Sequence, residues 1–308
     1  MRYAVLFPGQ GSQFVGMGAD VFAARPDLLG ESADSILGWS LAGLCAAGPE
    51  DELTRTDRAQ PALYSVSFAL WEALRDAVDE PPVGGAGHSL GEYTALAAAG
   101  VFDYETGLRL VAARGIAMDR AAKAEPSGMA ALLGADLPVA EAIASERRAG
   151  GGRLWVANLN APGQIVLAGG NDDIAWLQEN ARELGARRAI PLKVAGAFHS
   201  PLMSAAAVDL SNALVGSTAR EAGFPVWANV SGAVGTDLIN DLTAQLTSTV
   251  RFAESLEAMG AAGVEAFVHI GPGDVTAGMA RRTVPGALVL TVSSLDDVAA
   301  AAAALNVQ

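Results

Sequence analysis

Cysteine occurs once in these 308 residues, at Cys45. One cysteine closes no intrachain disulfide and builds no cysteine metal cluster, so the cytoplasm is the expected compartment. Basic side chains are also scarce. Twenty Lys and Arg face 34 Asp and Glu, a net charge of −14, which argues against nucleic acid as a partner. Long apolar runs are missing. Apolar residues reach 51%, but alanine inflates that figure. No stretch of about 18 uncharged residues carries the leucine, isoleucine and phenylalanine of a membrane span. The run Met1 to Phe7 ends in Pro8-Gly9 without the length or cleavage pattern of a signal peptide. No membrane association is expected.

The apolar content that remains is enough for a sizeable core in one large domain or two smaller ones. The charge is uneven. Residues 120–193 hold nine basic and eight acidic side chains, leaving 11 basic and 26 acidic elsewhere. A near-neutral middle therefore sits on a strongly acidic body.

The most informative segment is Gly87-His88-Ser89-Leu90-Gly91, followed by Glu92-Tyr93-Thr94-Ala95-Leu96-Ala97-Ala98-Ala99-Gly100. The first five residues fit G-x-S-x-G. The rest reads as a helix ending at Gly100. A serine on a sharp strand-to-helix turn is held clear of the backbone, and the flanking glycines relieve crowding there. The amides at the start of the helix favour negative charge beside the serine. The preceding Pro81 to Ala86 predicts only a short, buried strand.

Tyr3 to Phe7 predicts a strand, residues 60–78 a helix, and Tyr104 to Ala122 another. Strands alternating with helices predict an α/β fold with a mainly parallel sheet. Between about 127 and 194 the rhythm changes to strand Met129–Leu133, helix Val139–Ala149, strands Leu154–Asn158 and Gln164–Ala168, helix Asp172–Leu184 and strand Ala189–Val194. The two middle strands are joined through a turn at Asn160-Ala161-Pro162-Gly163. This β-α-β-β-α-β order predicts an inserted ferredoxin-like subdomain at 127–194, within a body formed by 1–126 and 195–308. Further strands are expected at 225–229 and 265–270, and helices at 201–215 and 251–262.

A serine nucleophile needs a proton acceptor, and the chain has three histidines. His88 adjoins Ser89 on a tight turn and points away from it. His269 ends a predicted strand. His199 lies in a loop before Pro201, where functional residues concentrate, so position favours His199. No carboxylate is singled out as a third member, although Asp237, Asp241 and Asp274 are available.

Six ordered motifs now stand together: Phe7-Pro8-Gly9-Gln10-Gly11-Ser12-Gln13, Gly87 to Tyr93, Arg114-Gly115, Asn158 to Gln164, Ala197-Phe198-His199-Ser200-Pro201-Leu202-Met203, and Gly271-Pro272-Gly273. Over residues 3–295 the chain resembles the malonyl-CoA:acyl-carrier-protein transacylases and the acyltransferases of polyketide synthases. The resemblance implies an α/β-hydrolase-like body with the inserted ferredoxin-like unit. It implies Ser89 as nucleophile, His199 as base, and the main-chain carbonyl of Gln245 as the group that orients His199. The amides of Gln10 and Leu90 match the family's oxyanion hole. Arg114 matches the arginine that pairs with the malonyl carboxylate. His88, Asn160 and Phe198 fall at the substrate pocket, where a phenylalanine in place of Phe198's alternative, serine, goes with malonyl rather than methylmalonyl units. His269 and Thr249 depart from the family's usual glutamate and proline. Leu90 is closer to the free-standing enzymes than to the polyketide domains.

The implied reaction is ping-pong transfer from malonyl-CoA to the phosphopantetheine thiol of an acyl carrier protein, with no cofactor or metal, by a monomer, in fatty-acid or polyketide synthesis. A thioester hydrolase or a carrier-to-carrier acyltransferase would use the same serine. The carrier is generally acidic, so a local basic patch is expected to receive it, either Arg147, Arg148 and Arg153 or Arg187, Arg188 and Lys193.

Overall fold

A computed structural model describes residues 1–306. Its strands are β1 (Tyr3–Phe7), β2 (Gly84–Gly87), β3 (Ser127–Leu133), β4 (Leu154–Ala161), β5 (Gln164–Gly170), β6 (Arg188–Pro191), β7 (Val226–Trp227), β8 (Ala266–Ile270) and β9 (Leu288–Val292). They form a parallel five-stranded sheet in the order β7-β2-β1-β8-β9 and an antiparallel four-stranded sheet in the order β4-β5-β3-β6. The expected fold class is therefore the one observed.

Strand alternation explains the layers. On β1, Tyr3, Val5 and Phe7 join the core beneath helices Thr56–Arg75 and Tyr104–Ala124. Ala4 and Leu6 point the other way, into a second core with Phe252, Leu256 and Met279 from helices Phe252–Ala261 and Val275–Thr283. In the antiparallel sheet, Ala130, Leu132, Ile165 and Leu167 pack on helices Leu137–Ala149 and Asn171–Asn180. The alternate residues Met129, Val166 and Ala168 face the main core. Among the described residues no helix is long and apolar enough to cross a membrane.

Several elements differ from the sequence reading. Strand β4 runs through Asn160 and Ala161, so only Pro162 and Gly163 make the turn; β-bulges between Val156 and Asn158 and between Leu159 and Ala161 accommodate the extension. Helix Thr56–Arg75 begins earlier than expected and stops before Val78. Helix Asn171–Asn180 and strand β6 end early, at Asn180 and Pro191. Strand β7 keeps only two residues. Strand β9 and helices Leu238–Gln245 and Val275–Thr283 were not anticipated.

Candidate active site

Ser89 lies between the end of β2 and helix Gly91–Ala98. Its φ is +52°, and that of His199 is +59°; no other non-glycine residue among those described has a positive φ. Each such conformation costs about 1–3 kcal/mol and persists only where its surroundings enforce it. At Ser89 the enforcement is visible. The Asn229 side chain accepts from the Ser89 amide at 2.8 Å and donates to the Gly87 carbonyl at 2.7 Å. The glycines of the motif are needed because backbone touches backbone. A Cβ on Gly87 would lie 1.8 Å from the Gly91 carbonyl carbon, and one on Gly91 would lie 2.2 Å from the Phe7 oxygen. The His199 loop is pinned by the Ala197 amide donating to Ser127 Oγ at 3.0 Å and by Ser200 Oγ donating to the Ala197 carbonyl at 2.6 Å.

Ser89 Oγ lies 2.7 Å from His199 Nε2, and His199 Nδ1 lies 2.8 Å from the Gln245 main-chain oxygen. A carbonyl only accepts, so Nδ1 carries the proton and Nε2 is free to accept from the serine hydroxyl. Burial, then the nearby Arg114 charge, pushes the His199 pKa down to about 3. The imidazole is thus neutral at pH 7, the state that can take a proton. Its two ring nitrogens are taken by Ser89 and Gln245, so none of Asp237, Asp241 and Asp274 is hydrogen-bonded to it. Asp237 instead caps helix Leu238–Gln245 by accepting from the Asn240 amide.

Arg114 is 1% exposed. Its Nη2 donates to Ser89 Oγ at 3.1 Å and to Gln245 Oε1 at 2.9 Å, and its Nη1 donates to Gln60 Oε1 at 2.7 Å. Nε has no partner. All three hydrogen-bond acceptors are neutral. Burial of the charge lowers the Arg114 pKa.

The Gln10 and Leu90 amides donate to no other protein group among the described residues. Both residues therefore keep a donor in reserve near the serine, Gln10 on the cavity wall and Leu90 directly after Ser89 in the chain. His88 Nε2 lies 2.7 Å from Asn160 Oδ1, and its ring meets Phe252 edge-on at 5.4 Å. Burial lowers its pKa. Phe198 is buried beside His199. A cavity of about 200 Å³ runs between the two sheets. Ser89, Arg114 and His199 line it on one side, and Met129, Asn160 and Val166 on the other.

His269 is elsewhere. Its Nδ1 lies 2.6 Å from Thr276 Oγ1 and its Nε2 donates to the Gly271 carbonyl at 3.1 Å. Both ring nitrogens are thus engaged, and burial pushes its pKa down to about 4. Thr249 Oγ1 donates to the Val156 carbonyl at 2.8 Å, tying its loop to β4.

Three polar residues at the site were not singled out from sequence: Gln60, Glu92 and Asn229. All are buried. Glu92 directly follows the motif, which is the one signal available for it. Gln60 and Asn229 carry none, because their partners are distant in the chain.

The acyl transferase domain family matches residues 5–300. The malonyl CoA-acyl carrier protein transacylase of Bacillus subtilis (strain 168) is 42% identical, over 91% of this chain and 90% of its own length. The crystal structure of an acyl carrier protein S-malonyltransferase from Vibrio cholerae superposes with a TM-score of 0.92 at 36% identity, covering 98% of this chain and 100% of that one. A type II PKS acyl-carrier protein in complex with its malonyl-transacylase gives 0.92 at 34% identity, covering 99% and 100%.

Proposed function

The chain belongs to the acyl transferase domain family, and from that premise we propose that it moves a malonyl group from malonyl-CoA to the thiol of an acyl carrier protein through a malonyl ester on Ser89. The observation that carries this reading is Arg114. A buried guanidinium held by neutral partners beside a serine–histidine pair is suited to one kind of acyl group, one with a free carboxylate. A hydrolase of simple acyl thioesters would have no use for it.

Ser89 Oγ attacks the thioester carbonyl while its proton passes to His199 Nε2. The oxyanion is held by the amides of Gln10 and Leu90. The thioester C–S bond breaks, the departing sulfur takes the proton from His199, and the malonyl-serine ester remains. The carrier's thiol then gives its proton to His199 and attacks the ester. The Ser89–carbonyl bond breaks and the serine recovers a proton from His199. The Gln245 carbonyl holds the ring throughout, although it stabilises the imidazolium less than a carboxylate would.

Intact mass of the enzyme after mixing with malonyl-CoA tests this, with and without carrier protein. A single malonyl adduct should build up without carrier and move to it when it is added. Hydrolysis of the adduct at the same rate with or without carrier would reject transfer. Offered malonyl- and methylmalonyl-CoA together, the enzyme should favour malonyl about 10–200-fold, because the Phe198 ring leaves little room for a branched α-carbon.

The two basic clusters are not equivalent. Arg147 pairs with Asp173 and stacks over Trp176, Arg148 donates to the Leu154 carbonyl, and Arg153 pairs with Glu125. Arg187, Arg188 and Lys193 are exposed, and Leu192 and Val194, on either side of Lys193, line the cavity. The second cluster is therefore the better docking face for an acidic carrier. Reversing Arg187, Arg188 and Lys193 to Glu should raise the carrier's KM on the order of tenfold at low salt, and less at high salt. The malonyl-CoA half-reaction should hold its rate. Unchanged carrier kinetics would place docking elsewhere.

A further inference from the structure

The transfer chemistry leaves one buried carboxyl beside Ser89 unused. Glu92, 2% exposed, sits in the first turn of helix Gly91–Ala98. Its Oε2 accepts from Gln245 Nε2 at 2.5 Å, and its Oε1 accepts from the Asn229 amide at 3.3 Å. The same Gln245 side chain accepts from Arg114 through Oε1. One amide thus lies between a guanidinium at its oxygen and a carboxyl at its nitrogen. Both groups that reach Glu92 are donors. They suit a carboxylate and offer nothing to a carboxyl proton.

Opposing forces act on that proton. Burial favours the neutral acid, and so does Asp241 on the facing helix Leu238–Gln245; the Gln245 and Asn229 hydrogen bonds and the Arg114 charge favour the carboxylate. Tyr93, on the same helix, stays neutral because burial raises its pKa. The result is a Glu92 pKa pushed up to about 7. The Arg114 charge is the smallest weight on the carboxylate side of that balance, and it is the one a substrate carboxylate would remove.

We propose that Glu92 is the counter-charge to Arg114 in the unloaded enzyme and takes up a proton from solvent when a substrate carboxylate docks on Arg114. The inference rests on the malonyl reading above. A bound carboxylate cancels the guanidinium's field at Glu92 and adds a negative charge nearby; both effects favour the acid form. The proton goes from water to the Glu92 carboxylate and returns when the malonyl group leaves for the carrier. No substrate bond is made or broken in this step. Glu92 acts through Gln245 and touches no reacting atom, so it is a positioning and charge-balancing residue.

The test is a proton count. Enzyme and malonyl-CoA are mixed in weak buffer at pH 7.5 with an indicator dye, and adduct is counted by intact mass in the same sample. Half a unit above pH 7, about three carboxyls in four are ionised, so up to about 0.7 proton should be taken up per malonyl adduct. Adding carrier protein should release it. Glu92→Gln should form the adduct with no proton uptake; the released CoA thiol, by ionising slightly, adds only a small proton release that is common to both enzymes. In the wild type alone, the uptake should vanish below about pH 5.5, where the carboxyl is already protonated. Adduct without uptake, equal uptake in Glu92→Gln, or uptake that ignores pH would each overturn the inference and leave the malonyl reading standing. Failure to form any adduct in the wild type would overturn both.

Discussion

Ser89→Ala loses the malonyl adduct, and transfer to carrier falls on the order of 10³–10⁶-fold, the range found when a nucleophile that works as a unit with its base is removed. His199→Ala slows both half-reactions by about 10²–10⁴-fold, the usual worth of a general base. His269→Ala leaves both nearly unchanged, since its ring nitrogens are engaged by Thr276 and Gly271. Intact mass and single-turnover rates read all three. Alanine at 89 inherits a φ of +52° and removes a partly buried acceptor of Arg114, so a thermal melt of each variant separates misfolding from lost chemistry. An adduct of undiminished amount on folded Ser89→Ala would move the nucleophile elsewhere. A larger loss in His269→Ala than in His199→Ala would move the base.

Arg114→Ala loses malonyl transfer but keeps or gains acetyl transfer. Removing one partner of a buried ion pair leaves the other unpaired at about 3–5 kcal/mol, which predicts a loss on the order of 10²–10⁴-fold for malonyl-CoA. Acetyl-CoA carries no such charge and escapes the penalty. Acetyl transfer is also the internal control. Arg114 supports the Gln245 side chain, whose backbone carbonyl orients His199, and collapse of that support would cost both substrates equally. A second readout is the pH profile. Burial and the Arg114 charge, in that order, hold the His199 pKa down. Deleting Arg114 removes the smaller cause, so the acid limb of acetyl transfer should move to higher pH than in the wild type. Malonyl transfer that survives unchanged would sink the dicarboxylate reading.

Ser89 was legible because its turn demands glycines on both sides, and residue type reports that demand directly. The β-α-β-β-α-β order was legible for a similar reason: periodicity reports which face of an element is buried. The rest was hidden by contacts of other kinds. Asn160 sits beside Pro162-Gly163, and its residue type suits a turn; only the bulges of β4 make it a strand residue facing His88. The partner of His199 is a main-chain oxygen, which every residue possesses, so no residue type announces it; only the family resemblance pointed to Gln245. Gln60 and Asn229 are amides whose partners lie 54 and 140 residues away in Arg114 and Ser89. Strand β9 pairs only along one edge and is half-exposed, yet its run Leu288-Val289-Leu290-Thr291-Val292 is apolar and β-branched, a strand signal that the sequence does carry.

The stretch that forms the second sheet leaves and rejoins the rest of the chain at one point. Ser127, where β3 begins, holds the amide of Ala197, two residues before His199. A Cβ on Gly196 would lie 2.7 Å from that of Ala122, at the end of the preceding helix. In polymer terms the segment is a closed loop tied at its root. The free energy of closing such a loop rises with the logarithm of its length, by about 0.6 kcal/mol per doubling. Length added away from the tie therefore costs little, while slack at the tie is felt at once by His199. Insertions are therefore borne best at the outer turns of the second sheet, whereas exchange at Asn160, which meets His88 beside Ser89, or at the Ser127 hydroxyl, which holds the His199 loop, reaches the serine–histidine pair directly.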